Sequence, residues 1–172
     1  MLHTTGNATS SIKFKGSFIQ GGLVIAQAEP GSIIKLEGDK IWIAENGIFL
    51  LGFKRGAQKI QKLEIKKPNG SNEVILLQIQ SRSYKTTYIN GLPRNKVNLS
   101  SPRLKQIKEE NKKIRVARQK RSAIQGFSKG FIWPVKGRVS GVFGSQRVLN
   151  GEPRNPHNGL DIAAPIGTPV VA

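Results

Sequence analysis

Two side chains near the carboxyl end have the types to do chemistry together. In the run NPHNGLDIAAPIGTPVVA (155–172), His157 stands four residues before Asp161. A neutral imidazole nitrogen and a carboxylate oxygen are both zinc donors, with bonds of about 2 Å. Their separation in sequence does not by itself make them a pair. Along an extended strand, residues four apart lie about 13 Å from each other, too far to share one ion. A helix would bring them together, but Pro156, Asn158 and Gly159 disfavour one. The backbone must therefore bend between the two, and Asn158-Gly159 is the dipeptide best able to do it. Zinc takes three or four protein ligands, so this pair supplies two at most. A histidine close to an aspartate is also a common arrangement with no chemical role, and the two residues alone leave both readings open.

Little else in the chain competes for a chemical role. The other histidine, His3, sits alone in the polar start MLHTTGNATSS and is expected to do nothing. Cysteine is absent, which removes disulfides and thiolate zinc sites but does not fix a compartment. The elements that must position His157 and Asp161 are short. From Gly126 the chain is rich in glycine, with short strands expected around Val139 and Val142 and a loop through Asn150-Gly151-Glu152-Pro153.

Upstream, residues 11–92 read as a separate β domain. GLVIAQA (22–28) is a short apolar strand, and Gly38-Asp39 and Asn46-Gly47 punctuate three runs rich in Ile, Leu, Trp and Phe. Asn-Gly between apolar runs is a strong hairpin signal, because both central residues tolerate positive φ. KLEIKKPNGSNEVILLQI repeats the pattern around Pro68-Asn69-Gly70, and SYKTTYI (83–89) adds one more strand. Many short strands divided by turns predict a small antiparallel sandwich. No catalytic constellation is visible within it.

Between the two β regions the composition changes. The net charge is +18, from 28 basic and 10 acidic residues, and residues 101–122 alone carry nine basic and two acidic residues. Ser101-Pro102 makes a good helix start. Leu104, Ile107, Ile114 and Ala117 then follow at helical spacing, with Asn111 interrupting the stripe. This predicts one basic helix with a narrow apolar seam, a connector packed lightly on one or both domains. Such a field also attracts polyanions. The segment has no aromatic residue to stack on bases and little bulk for membrane insertion. No apolar run reaches the length of a transmembrane helix, and the start lacks a basic and then apolar signal-peptide pattern. That leaves a cytoplasmic protein or a true N-terminus further upstream.

The surroundings of the His-Asp pair carry a resemblance. GRVSGVFGSQR, a loop, and then HNGLDIAAPIGTPVVA look like the first half of the lysostaphin/LytM-type zinc metallopeptidases, the peptidoglycan endopeptidases. That family has a His-x-x-x-Asp ligand pair leading into a D-(I/F/L)-A-A-P-x-G-T-P-V strand and turn. The resemblance covers about 130–172. More loosely, the β-rich region, the basic helix and GFIWPV look like the N-terminal part of a bacterial subgroup of these enzymes. The implied fold is mainly β, with a small sandwich-like domain at 11–92, a basic helical linker at 101–122, and at 126–172 the first part of an antiparallel peptidase domain. The implied cofactor is Zn2+, held by His157 and Asp161, and the implied partner is peptidoglycan in the bacterial cell envelope. Anionic cell-wall or membrane-surface polymers are further partners for the basic linker, and nucleic acid is not expected.

In that family the third ligand and a catalytic histidine come from a later His-x-His motif, and this sequence has no histidine beyond His3 and His157. The expectation is an N-terminal fragment cut inside the catalytic domain, with its catalytic residues after Ala172 and no activity as it stands. Two alternatives differ in class. Some members of the family have lost metal ligands and act as non-catalytic envelope regulators, against which the intact His157 and Asp161 argue. A nucleic-acid-binding protein rests on charge alone and lacks any recognisable motif.

Overall fold

The computed structural model describes residues 11–93, 101–120 and 126–171. The chain is mainly β and divides into two compact units, with the boundary between Arg82 and Ser83. His3 and residues 121–122 of the expected linker lie outside the described residues.

Seven strands build the first unit: β1 (Lys13–Gly16), β2 (Leu23–Gln27), β3 (Ile33–Leu36), β4 (Asp39–Ile41), β5 (Ile48–Gly52), β6 (Ile60–Lys66) and β7 (Asn72–Gln78). They form one sheet in the order β1-β2-β5 and another in the order β4-β3-β6-β7, with antiparallel ladders throughout. Alternation along the strands decides which side chains go inside. Val24 and Ala26 of β2, Phe49 and Leu51 of β5, Ile34 of β3, Leu63 and Ile65 of β6 and Leu77 of β7 are all buried in a single cluster. Both sheets contribute to that cluster, which is the arrangement of a small sandwich.

The turns follow the expected chemistry with shifts in detail. The β3–β4 turn falls at Glu37 (φ 52°) and Gly38 (φ 84°), one residue earlier than the expected Gly38-Asp39. At Asn46-Gly47 only the glycine takes positive φ, and the turn links the single bridge Ile43–Phe49, because β5 pairs with β2. Gly47 also has no room for a side chain: a Cβ would overlap the Ala28 carbonyl oxygen. Pro68-Asn69-Gly70 joins β6 to β7, with the Gly70 N–H donating to the Lys67 carbonyl and Gly70 at φ 85°. This is a type I turn followed by a left-handed residue.

The second unit holds β8 (Thr86–Ile89), helix α1 (Ser101–Gln119), a 3-10 turn at Gly126–Lys129, and then β9 (Arg138–Gly141), β10 (Gln146–Leu149), β11 (Glu152–Pro153) and β12 (Asp161–Ala163). Here β8 corrects the expected boundary at residue 92. It pairs in parallel with β10, Thr86 opposite Gln146 through Ile89 opposite Leu149, and so belongs with the carboxyl-terminal region. Asn150 ties the same edge, accepting from the Leu92 N–H at 3.0 Å and donating to the Leu92 carbonyl at 2.7 Å. The expected loop at 150–153 is a tight hairpin, with Asn150 and Gly151 at positive φ and Glu152–Pro153 pairing back on β10. Val142 lies in the turn after β9 and not in a strand. Helix α1 spans the expected segment as far as Gln119, with Ile107 of the expected seam half-buried. None of its residues is buried, and Leu104, Ile114 and Val116 of its apolar positions stand exposed. No described helix is long and apolar enough to cross a membrane.

Candidate metal site

The geometry at His157 begins with backbone. The Gly144 N–H donates to the His157 carbonyl at 2.8 Å, and the His157 N–H donates to the Ser145 carbonyl at 2.8 Å. These two bonds seat the histidine on the turn between β9 and β10. That turn is itself closed by the Ser145 hydroxyl and N–H, both donating to the Val142 carbonyl. The chain then bends at Gly159 and enters β12 at Asp161.

β12 runs antiparallel to β9, with Asp161 opposite Gly141. Immediately afterwards the register slips, so that Ile162 faces Val139 and Ser140 becomes the extra residue of a bulge. Bulges re-aim the side chains beside them. The Ser140 hydroxyl donates to the Asp161 carbonyl at 3.4 Å, a long contact that spans this irregularity.

The result brings His157 Nε2 within 3.3 Å of Asp161 Oδ1. His157 is half-buried and Asp161 exposed. The Nε2 atom is shielded from solvent and has no hydrogen-bond partner among the described residues, for the approach to Asp161 lacks hydrogen-bond direction. A buried ring nitrogen without a partner is costly. Two donors on one tetrahedral zinc, each about 2.0–2.1 Å from it, stand roughly 3.4 Å apart. The observed separation fits that value, and a ring nitrogen without a hydrogen-bond partner fits the role of a metal donor.

Gly141 completes the cradle. A Cβ on this residue would lie 2.6 Å from Asp161 Oδ2 and 3.2 Å from His157 Nε2. The space in which the pair meets therefore depends on the missing side chain. Sequence reasoning identified His157 and Asp161 but not Gly141, Ser140 or the Gly144-Ser145 turn. The glycines of GRVSGVFGSQR were a signal that the backbone comes close to something there.

Among the described residues no group of three or more His, Cys, Asp or Glu side chains converges on one point. Among the described residues the site has two donors, His157 and Asp161. No family model matches the chain, and no curated protein matches it.

Proposed function

We propose that the chain carries the first two zinc ligands of an endopeptidase that hydrolyses peptide cross-links of peptidoglycan. One observation carries the reading: the buried, unpartnered Nε2 of His157 lies a ligand-sharing distance from Asp161 Oδ1, over a glycine that leaves them room. The same residues carry the resemblance to the lysostaphin/LytM-type enzymes, and that resemblance supplies the substrate class and the envelope location.

Each residue has a definable task. His157 presents a neutral nitrogen lone pair, and its two backbone hydrogen bonds hold the ring over Gly141. Asp161 contributes a negative charge, held at the start of β12 by pairing with Gly141. A bound Zn2+ supplies Lewis acidity toward a peptide carbonyl and lowers the pKa of a coordinated water. Two protein donors would fill only half of a tetrahedral shell, so the residues present would hold the ion weakly. In this proposal the third ligand and the proton-transferring histidine belong to a His-x-His segment supplied by a longer chain.

The test compares the 172-residue chain with one extended to include such a segment. The short chain is expected to retain little zinc and to cleave no cross-link in purified peptidoglycan. The extended chain is expected to do both, and His157→Ala within it to abolish both. A short chain that cleaves as fast as the extended one would place the site elsewhere and end the proposal.

A further inference from the structure

Helix α1 presents a charge pattern that neither the sandwich nor the His-Asp site uses. With 3.6 residues per turn, Lys105, Lys108, Lys112 and Arg115 fall along one side of the helix, within roughly 80° of arc. All four are exposed. Among the described residues none of them makes an ion pair. The two acidic residues of the helix, Glu109 and Glu110, fall outside that arc, and Glu110 is engaged by the Gln106 amide at 2.9 Å. Successive charges climb the helix axis by about 5 Å, and the stripe is about 15 Å long.

This stripe selects among anionic partners. Insertion into a lipid surface needs a continuous apolar face. On α1, Asn111 and Arg118 fall between Leu104 and Ile114 on the apolar side, and Val116 and Ala117 lie away from it. Single-stranded nucleic acid is gripped by aromatic stacking as well as by phosphate contacts, and α1 has no aromatic residue. A flexible phosphodiester chain without bases needs neither feature. One with six backbone bonds per repeat places its charges roughly 7 Å apart when extended, judged from the 3.3–3.6 Å spanned by the three bonds of an amino-acid residue. It reaches the 5 Å step of the stripe by contracting roughly 30% from full extension, which rotation about its single bonds allows.

We propose that α1 is a docking strip for a linear, base-free phosphodiester polymer, held by Lys105, Lys108, Lys112 and Arg115. Such a polymer neutralises like charges crowded on one helix face, so binding also stabilises the helix. The inference does not rest on the metal pair, and its test leaves His157 and Asp161 unchanged.

The probe is poly(glycerol phosphate), titrated against the full 172-residue chain with helicity followed by circular dichroism. Binding is expected to rise with helicity. Its logarithm is expected to fall with the logarithm of salt concentration at a slope near −3, for about four neutralised phosphates on a flexible strand. Replacing all four residues by Gln, a good helix former, is expected to weaken binding at least tenfold near 100 mM salt. Lys13→Gln, Lys35→Gln, Lys40→Gln and Lys54→Gln together remove the same charge from exposed positions of the first unit, and this control is expected to stay within about threefold of the parent. Replacing Lys105, Lys108 and Lys112 by Arg, which keeps the charge, is expected to preserve binding. Equal losses in the stripe and control variants would reduce the effect to net charge and overturn the proposal. Tighter binding, per phosphate, to single- or double-stranded nucleic acid or to phosphatidylglycerol vesicles would overturn the choice of partner.

Discussion

At the scale of single residues, the candidate site depends on an absence. Gly141 sits in a strand and is opposed to Asp161, so its lack of a Cβ serves space and not backbone freedom. Adding one methyl group there sets a carbon 2.6 Å from an Asp161 carboxylate oxygen, a contact that one of the two must relieve by moving. Ligand geometry tolerates displacements of only a few tenths of an ångström. In a chain extended by the proposed His-x-His segment, Gly141→Ala is therefore expected to lower the affinity for Zn2+ by about tenfold or more, comparable to losing a supporting contact around a metal. Its thermal unfolding should shift little, since Gly141 is only partly buried at the strand end. Competition of the extended chain and its variant against a chromogenic zinc chelator measures this. Unchanged zinc affinity in Gly141→Ala would mean that His157 and Asp161 do not hold the ion together. Of this site the sequence showed the two donor types and the need for a bend between them. It could not show the bulge at Ser140 or the closeness of Gly141, because both arise from pairing between β9 and β12, and strand period does not name a partner.

At the scale of elements, most of the sandwich was legible. Alternating apolar positions in LVIAQ, IFLLG and IQKLEIK are the positions that the core takes up, and Gly38, Gly47 and Gly70 mark turns. What failed was the placement of TTYI, which has the composition of a strand in either unit. Its parallel partner, QRVL, lies some 60 residues downstream, and nothing local to either segment specifies a non-local parallel pairing. The β6–β7 hairpin carries a feature with a pH signature. Glu73 of β7 accepts from the Ser11 hydroxyl at 2.6 Å and pairs with Lys67 at 3.0 Å, so it ties the entry segment to the hairpin. The Ser11 hydrogen bond, followed by the Lys67 contact, holds its carboxyl below the ordinary glutamate pKa. A carboxylate with a lowered folded pKa stabilises the fold above its unfolded pKa, and that contribution is lost as pH falls through the folded value. Glu73→Gln is thus expected to cost less than about 1 kcal/mol at neutral pH, the range of solvent-screened pairs. The difference from the parent should shrink below the ordinary glutamate pKa. Urea titrations at neutral and acidic pH measure it, and a difference that grew on acidification would contradict this account of Glu73.

At the scale of the whole molecule, the two units are unequally built. Every buried hydrophobic side chain among the described residues lies between Ile12 and Ile79, and the largest fully buried ones are Phe49, Ile34, Leu51, Leu63, Ile65 and Val24. Full burial of such side chains contributes about 1.5–3 kcal/mol each. In the second unit the buried class among the described residues holds only Gly144, while Phe131, Ile132, Trp133 and Val170 are largely exposed. Opening free energies follow buried apolar contact, so the second unit and α1 belong at the low-stability end. Limited trypsin digestion should read this directly, since exposed lysines and arginines occur in both units and supply cleavage sites throughout. The first cuts are expected within α1 or beyond it, followed by a protected fragment containing residues 11–82 that persists over a long time course. A fragment prepared as 11–82 should unfold cooperatively at about the same temperature as one prepared as 11–92, because β8 has its partner in the other unit. Mass spectrometry of the digest and the two melting curves decide the matter. If 11–82 were cut as fast as α1, or if it melted well below 11–92, the boundary at Arg82 would not mark a folding unit, and β8 would be contributing to the sandwich after all.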